Sequence, residues 1–179
     1  MKSGLSVPLP LAECAFGDPA TRQAYEKARR RVLVSLLIRV AVFLSLLIVA
    51  TAFKDEETQL VSGTASLLLI PAAFLLAGPA KALHWLRAVE SVLKSQPWRH
   101  CSAVGRPDVK VGAGKAVQLR LGDGGSDEEW TPVLAARTWR RRTRWSAELE
   151  HGAWFAGHAD RGGVIALPGG HGFMTLHRQ

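Results

Sequence analysis

The chain has 179 residues, including 23 Lys or Arg and 15 Asp or Glu, and 47% of it is hydrophobic. This apolar fraction excludes a disordered chain, because disordered chains combine low hydrophobicity with high charge. The length excludes a large multidomain enzyme, since a domain typically takes about 100 to 200 residues. Cys14 and Cys101 are too few to form a disulfide framework.

Residues 1–31 form a polar N-terminal segment that we predict to be helical from about residue 19. Asp18 followed by Pro19 is a helix-start signal, because the Asp side chain caps the helix and proline fits its first position. No helix breaker follows before the apolar run that begins at Val32. We therefore predict one continuous helix from Pro19 into that run.

Two apolar runs follow, at residues 32–53 and 60–80, and Arg39 is the one charged residue in them. At about 1.5 Å per residue, each run can cross a hydrocarbon core of roughly 30 Å. Residues 32–80 are therefore predicted to form a transmembrane helical hairpin. The long segment before the first run and the second run after it argue against a cleaved signal peptide. We interpret Arg39 as snorkelling to the headgroups rather than marking an ion path, since neither run offers an acidic partner.

Basic residues flank the hairpin, at residues 27–31 and 81–94, whereas Lys54 in the connecting loop is outnumbered by acids. Cytoplasmic flanks carry an excess of Lys and Arg. We therefore predict a multi-pass protein of the bacterial inner (plasma) membrane with both termini in the cytoplasm. A small-residue face, Ser62, Gly63, Ala65 and Ser66, could pack within the hairpin or against a second copy.

Residues 81–95 are predicted to form an amphipathic linker helix, separated from the second span by a break at Gly78 and Pro79. Its apolar stripe is Ala82, Leu86, Val89 and Leu93.

Residues 96–179 consist of short apolar stretches broken by Gly, Pro and Asp. This pattern is typical of an all-β unit, and the length suits a five- or six-stranded barrel or sandwich. The predicted fold is thus a membrane α-helical hairpin followed by a small, all-β or mainly-β cytoplasmic domain. Candidate strands are 98–104, 116–121, 131–139, 153–156, 163–167 and 172–176.

A basic stretch at residues 137–145 holds five Arg and two Trp. Guanidinium groups beside aromatic rings suit nucleic acid, and on a tethered domain they also suit anionic lipid headgroups or an acidic partner. The third interpretation is a solvated edge strand whose charges prevent aggregation. Between the two ligands we favour lipid, because the leaflet is always within reach. The candidate residues are Arg137, Trp139, Arg140, Arg141, Arg142, Arg144 and Trp145.

Metal, cofactor and catalytic sites are not predicted. The histidines and cysteines lack the spacing of a metal site, and His100 and Cys101 would point to opposite faces of a strand. The glycine-rich segments lack the order of a phosphate-binding loop. We therefore expect no enzymatic activity.

The segment 152–172 contains WFAG, GGV and PGG in succession. It resembles the C-terminal segment of small, uncharacterised two-span membrane proteins of actinobacterial type. The resemblance implies a hairpin-plus-domain plan and no mechanism or ligand. From the residues themselves we predict a β-hairpin with Gly162 and Gly163 at its turn and Trp154, Phe155 and Val164 in the core.

The predicted function is a membrane-anchored interaction or scaffold module with a cytoplasmic β domain. Its expected partners are the lipid bilayer and either a protein or a second copy of the chain. The alternative is a membrane-tethered binder of anionic lipid or nucleic acid that uses the basic stretch.

Overall fold

A computed structural model describes residues 12–52, 61–112, 114–122, 130–138 and 146–178, with the side chains of 49–52, 61–76 and 151 left out of the description. Two long helices come first, α1 (Pro19–Ala52) and α2 (Val61–Ser95). Six strands follow: β1 (Arg99–Gly105), β2 (Lys115–Leu121), β3 (Leu134–Arg137), β4 (Ala153–His158), β5 (Gly162–Leu167) and β6 (His171–Arg178). Short 3-10 turns lie at Ala15–Gly17 and Ala147–His151.

The start of α1 confirms the prediction from Asp18 and Pro19. The backbone N–H of Thr21 donates to Asp18 Oδ2 at 2.8 Å, as expected of a capping carboxylate. The helix then continues without a break into the apolar run. Among the described residues, Pro19–Ile48 is the helix long and apolar enough to span a membrane.

The predicted break at Gly78 and Pro79 is wrong, because α2 is helical from Val61 to Ser95. Ala82, Leu86, Val89 and Leu93 are all at most 1% exposed. Burial of this stripe offsets the cost of a proline inside a helix, which is about 3 kcal/mol. The predicted second span falls largely on 61–76, whose side chains are outside the description, and it stays a prediction.

The six strands form a closed antiparallel barrel in the order β1-β2-β3-β6-β5-β4, with β4 returning to β1. All six predicted strands are confirmed, with ends that differ by a few residues. Within the described part of the predicted strand 131–139, the residues that form a strand are Leu134–Arg137. Closure leaves no unpaired edge along these strands. In particular, β3 pairs with both β2 and β6, so the edge-strand interpretation does not apply to Leu134–Arg137.

Apolar side chains fill the barrel interior, and they include Val117, Leu119, Phe155 and Ile165, each 0% exposed. Cys101 lies in the same cluster, where burial raises the pKa of its thiol to about 12. Because the thiolate is the nucleophile of cysteine chemistry, this residue is an inert core thiol at neutral pH.

The predicted hairpin is confirmed as β4 and β5, which pair in register from Trp154↔Ala166 to His158↔Gly162. The placement of Gly162 and Gly163 in the turn is wrong, because both begin β5 and the turn lies at 159–161. Gly162 has a φ of +99°, and a Cβ there would strike the carbonyl oxygen of Leu176. Only glycine fits this position without strain. Trp154 and Phe155 are both buried, at 3% and 0% exposure, but they lie on opposite faces of β4.

The chain divides into two compact units, one of residues 27–86 and one that joins residues 1–26 to residues 87–179. The first turns of α1 thus belong with the barrel.

Candidate functional site

Strands β4 and β5 are buried on both faces. Ala153 and Phe155 face the barrel interior, so by alternation Trp154 and Ala156 face outward, yet these two are at most 3% exposed. Val164 and Ala166 on β5 follow the same rule, at 0% each. The outer face of this hairpin is therefore buried within the protein.

Residues 12–26 and 87–96, which we name the helical collar, belong to the unit that contains the barrel. The indole Nε1–H of Trp98 donates to the hydroxyl of Thr21 at 3.0 Å, and both side chains are buried. The Trp98 ring also contacts the Trp154 ring, with centroids 5.8 Å apart. This chain of contacts links the beginning of α1 to the outer face of β4.

Thr21 has a double role in the collar. Its hydroxyl donates to Asp18 Oδ2 at 2.6 Å while it accepts from Trp98. A hydroxyl offers one donor and two acceptor lone pairs, so both bonds form together. The residue that completes the α1 cap therefore also docks that helix on the barrel.

Gly170, in the turn between β5 and β6, lies against the backbone of Thr21 in the collar. It has a φ of +72°, and a Cβ there would lie 2.6 Å from Thr21 Cα. A side chain at this position would force the α1 backbone away.

The two helices are joined to each other within the collar. The backbone N–H of Ala15 donates to the carbonyl of Gln96 at 2.8 Å, and the Tyr25 hydroxyl donates to Glu90 Oε2 at 2.7 Å. Phe16 packs edge-on against the Tyr25 ring, with centroids 5.4 Å apart. The start of α1 and the end of α2 thus form one base beside the barrel.

One polar atom on the outer face of β4 has no hydrogen-bond partner among the described residues. This atom is the buried Nε1 of Trp154. An unsatisfied buried donor costs about 1–3 kcal/mol, so packing against Trp98 has to outweigh this loss.

The basic stretch 137–145 begins where β3 ends. Arg137 is exposed, and its backbone carbonyl accepts a hydrogen bond from the Thr175 hydroxyl at 3.3 Å. Polyanion binding by the stretch stays a prediction. The remaining candidates lie outside the described residues: Trp139, Arg140, Arg141, Arg142, Arg144 and Trp145.

The histidines are spread over the molecule. His100 Nδ1 lies 3.2 Å from the carbonyl oxygen of Gly122, and His158 Nε2 lies 3.4 Å from Gln96 Nε2. Within the part of the chain that the structure describes, no three His, Cys, Asp or Glu residues are grouped to hold a metal ion.

Among the described barrel residues, Trp130 is a large aromatic side chain on the surface. Trp130 is 47% exposed, and its ring lies over Gly105, where a Cβ would approach it to 3.0 Å. Thr131 fixes this segment beside β2, since its backbone N–H donates to Leu119 O and its hydroxyl accepts from Leu119 N–H, both at 2.9 Å. Trp130 is therefore held in place with part of its ring open to solvent.

Sequence reasoning missed Thr21, Tyr25 and Gly170 as docking residues. A signal was present, because positions 21, 25, 28 and 32 repeat the spacing of four, three and four seen in α2. Three of these four residues are buried. The unbroken apolar stretches of β4 and β5 were a second signal, because a strand with one solvent-exposed face alternates apolar and polar residues.

No protein-family model matches the chain, and no match was found among curated proteins or solved structures.

Replacing Gly170 with Ala should destabilise the protein more than replacing Gly169 with Ala. Both glycines have positive φ, so both substitutions carry the left-handed strain of about 1–2 kcal/mol. At Gly169 the nearest atom to a Cβ is 3.7 Å away, whereas at Gly170 the methyl group meets the Thr21 backbone. We expect an extra loss of about 1–3 kcal/mol for G170A, measured by denaturant unfolding of the full chain in detergent. Equal losses for the two variants would contradict the collar contact.

Proposed function

We propose that this chain is an integral membrane protein that presents its barrel as a membrane-anchored interaction or scaffold module. The observation that carries the proposal is the exposed apolar surface of α1. The span-length segment Pro19–Ile48 has a mean hydropathy of 2.4 over its best window, and 6% of that window is buried. Leu37 is 67% exposed and Ile48 is 64% exposed. Water penalises such surface by about 25 cal/mol per Å², whereas a bilayer covers it.

Two other kinds of helix have this length and composition. A core helix of a soluble protein would be mostly buried, and the exposure of α1 argues against it. The collar argues against a cleaved leader, which would take Thr21 and Tyr25 away with it. Trp98 and Glu90 would then lose the hydrogen bonds that these residues make. These contacts support α1 as a permanent part of the folded protein.

A second span and cytoplasmic termini complete the proposal. The α2 backbone is helical over nearly all of the uncharged run 60–80, which supports a second crossing. The basic residues before α1 and after that run favour the cytoplasm for both termini and for the barrel. A multi-pass protein of the bacterial inner (plasma) membrane fits this arrangement.

The distribution of buried and exposed side chains on the barrel supports an interaction module. The barrel interior is filled by apolar side chains, and the outer face of its β4–β5 hairpin is buried. The outer surface that remains carries Trp130, a residue type enriched among the dominant contacts of protein interfaces. We therefore assign the docking role to the surface around Trp130.

Anchoring and orientation are testable with the two native cysteines. The full chain should stay in the membrane pellet after an alkaline carbonate wash, since its spans are held by lipid. A membrane-impermeant maleimide should label half-exposed Cys14 only after the cells are permeabilised, while Cys101 stays unlabelled in the buried core. Release by carbonate would contradict the anchor, and labelling of Cys14 in intact spheroplasts would contradict the orientation.

The docking role is testable by photo-cross-linking in cells. A cross-linking amino acid at Trp130 should give one reproducible protein adduct, whereas the same group at exposed His171 should not. The substitution Trp130→Ala should reduce co-purification of that protein by about tenfold, as expected for loss of a dominant contact of about 1–2 kcal/mol. Equal adducts at both positions, or unchanged co-purification, would overturn the assignment.

A further inference from the structure

A groove of about 450 Å³ lies on α1. The described residues that line it are four basic ones and three others: Lys27, Arg30, Arg31 and Arg39, with Val34, Ser35 and Ile38. These positions follow one side of the helix over about three turns. The groove therefore begins among the basic residues and continues along the apolar part of α1.

The chemistry of the groove changes along its length. Lys27, Arg30 and Arg31 are exposed at one end, and none of the described lining residues is acidic. Farther along, Val34 is 46% exposed and Ile38 is 58% exposed. A ligand that fits this groove has an anionic head and an apolar tail.

Arg39 indicates where the groove lies relative to the lipid headgroups. A Cβ on Gly78 would be 3.2 Å from Arg39 Nη1, so this guanidinium lies beside the end of the apolar run 60–80. A long basic side chain at such a boundary holds its charge at the level of the headgroups. This contact supports the snorkelling interpretation.

We propose that this groove binds an anionic phospholipid of the leaflet. Lys27, Arg30 and Arg31 contact the headgroup phosphate, and Val34 and Ile38 contact the first part of an acyl chain. The inference rests on the proposed function, because it requires α1 to lie in a bilayer. It differs from general attraction to an anionic surface, which depends on net charge and not on which basic residue is present.

Arg29 provides a matched control for Arg31. Both are exposed, and they are two positions apart on α1, but only Arg31 lines the groove. Replacing either with Gln removes one charge from the same level of the helix and retains a good helix former. General surface attraction therefore changes equally in the two variants.

The test uses the full chain reconstituted in nanodiscs of equal phosphatidylglycerol and phosphatidylcholine. After extraction into mild detergent, native mass spectrometry counts the lipid that each protein retains. R31Q should retain about fivefold less phosphatidylglycerol than R29Q, as expected for loss of one charged contact in a specific site. Equal retention by the two variants would overturn the site.

A second arm distinguishes a lipid from a free phosphate compound. Because the acyl chain contributes to binding, millimolar glycerol phosphate should leave the retained phosphatidylglycerol unchanged, and Ile38→Ser should reduce it. Displacement by glycerol phosphate would overturn the lipid assignment. Release of the protein from membranes by carbonate would overturn both proposals, whereas equal R31Q and R29Q results in carbonate-resistant protein would overturn this one alone.

Discussion

The hydroxyl of Thr21 is the contact on which the arrangement of the barrel-containing unit depends. It donates to Asp18, which caps α1, and it accepts from the indole of Trp98, which packs against Trp154 on the barrel. Gly170 leaves the space that this approach requires. One buried residue therefore serves both the cap and the docking contact, which couples the start of α1 to the barrel. The helix start is thus a part of the barrel's own fold.

These contacts bear on the proposed anchor, because they join the start of α1 to the barrel. Within the barrel-containing unit, buried contacts tie the barrel to the first turns of α1. The end of α2 joins the same base through Ala15–Gln96 and Tyr25–Glu90. A partner bound near Trp130 would therefore meet a unit in which the barrel and both helix bases are joined. In the lipid proposal, an anionic headgroup binds farther along α1, beyond those first turns.

The sequence predicted the elements better than their assembly. Asp18–Pro19, the six strands and the β4–β5 hairpin depend on local chemistry that spacing and turn residues reveal. The continuity of α2 through Pro79 could not be predicted locally, because burial of Val89 and Leu93 outweighs the proline penalty. The collar was missed since Thr21 is polar, and its burial depends on Trp98, which lies far away in sequence. The basic stretch was conspicuous in composition, yet only its first residues, at the end of β3, are described.

A double-mutant cycle between Thr21 and Trp98 tests the central claim most directly. Thr21→Val keeps the shape of the side chain and removes the hydroxyl, while Trp98→Phe removes the indole N–H. The free energy of unfolding of the full chain in detergent would be measured for both single variants and for the double variant. We predict a coupling of about 1 kcal/mol, because the two side chains share one buried hydrogen bond. Additive losses, with no coupling, would contradict the docking of α1 on the barrel through this contact.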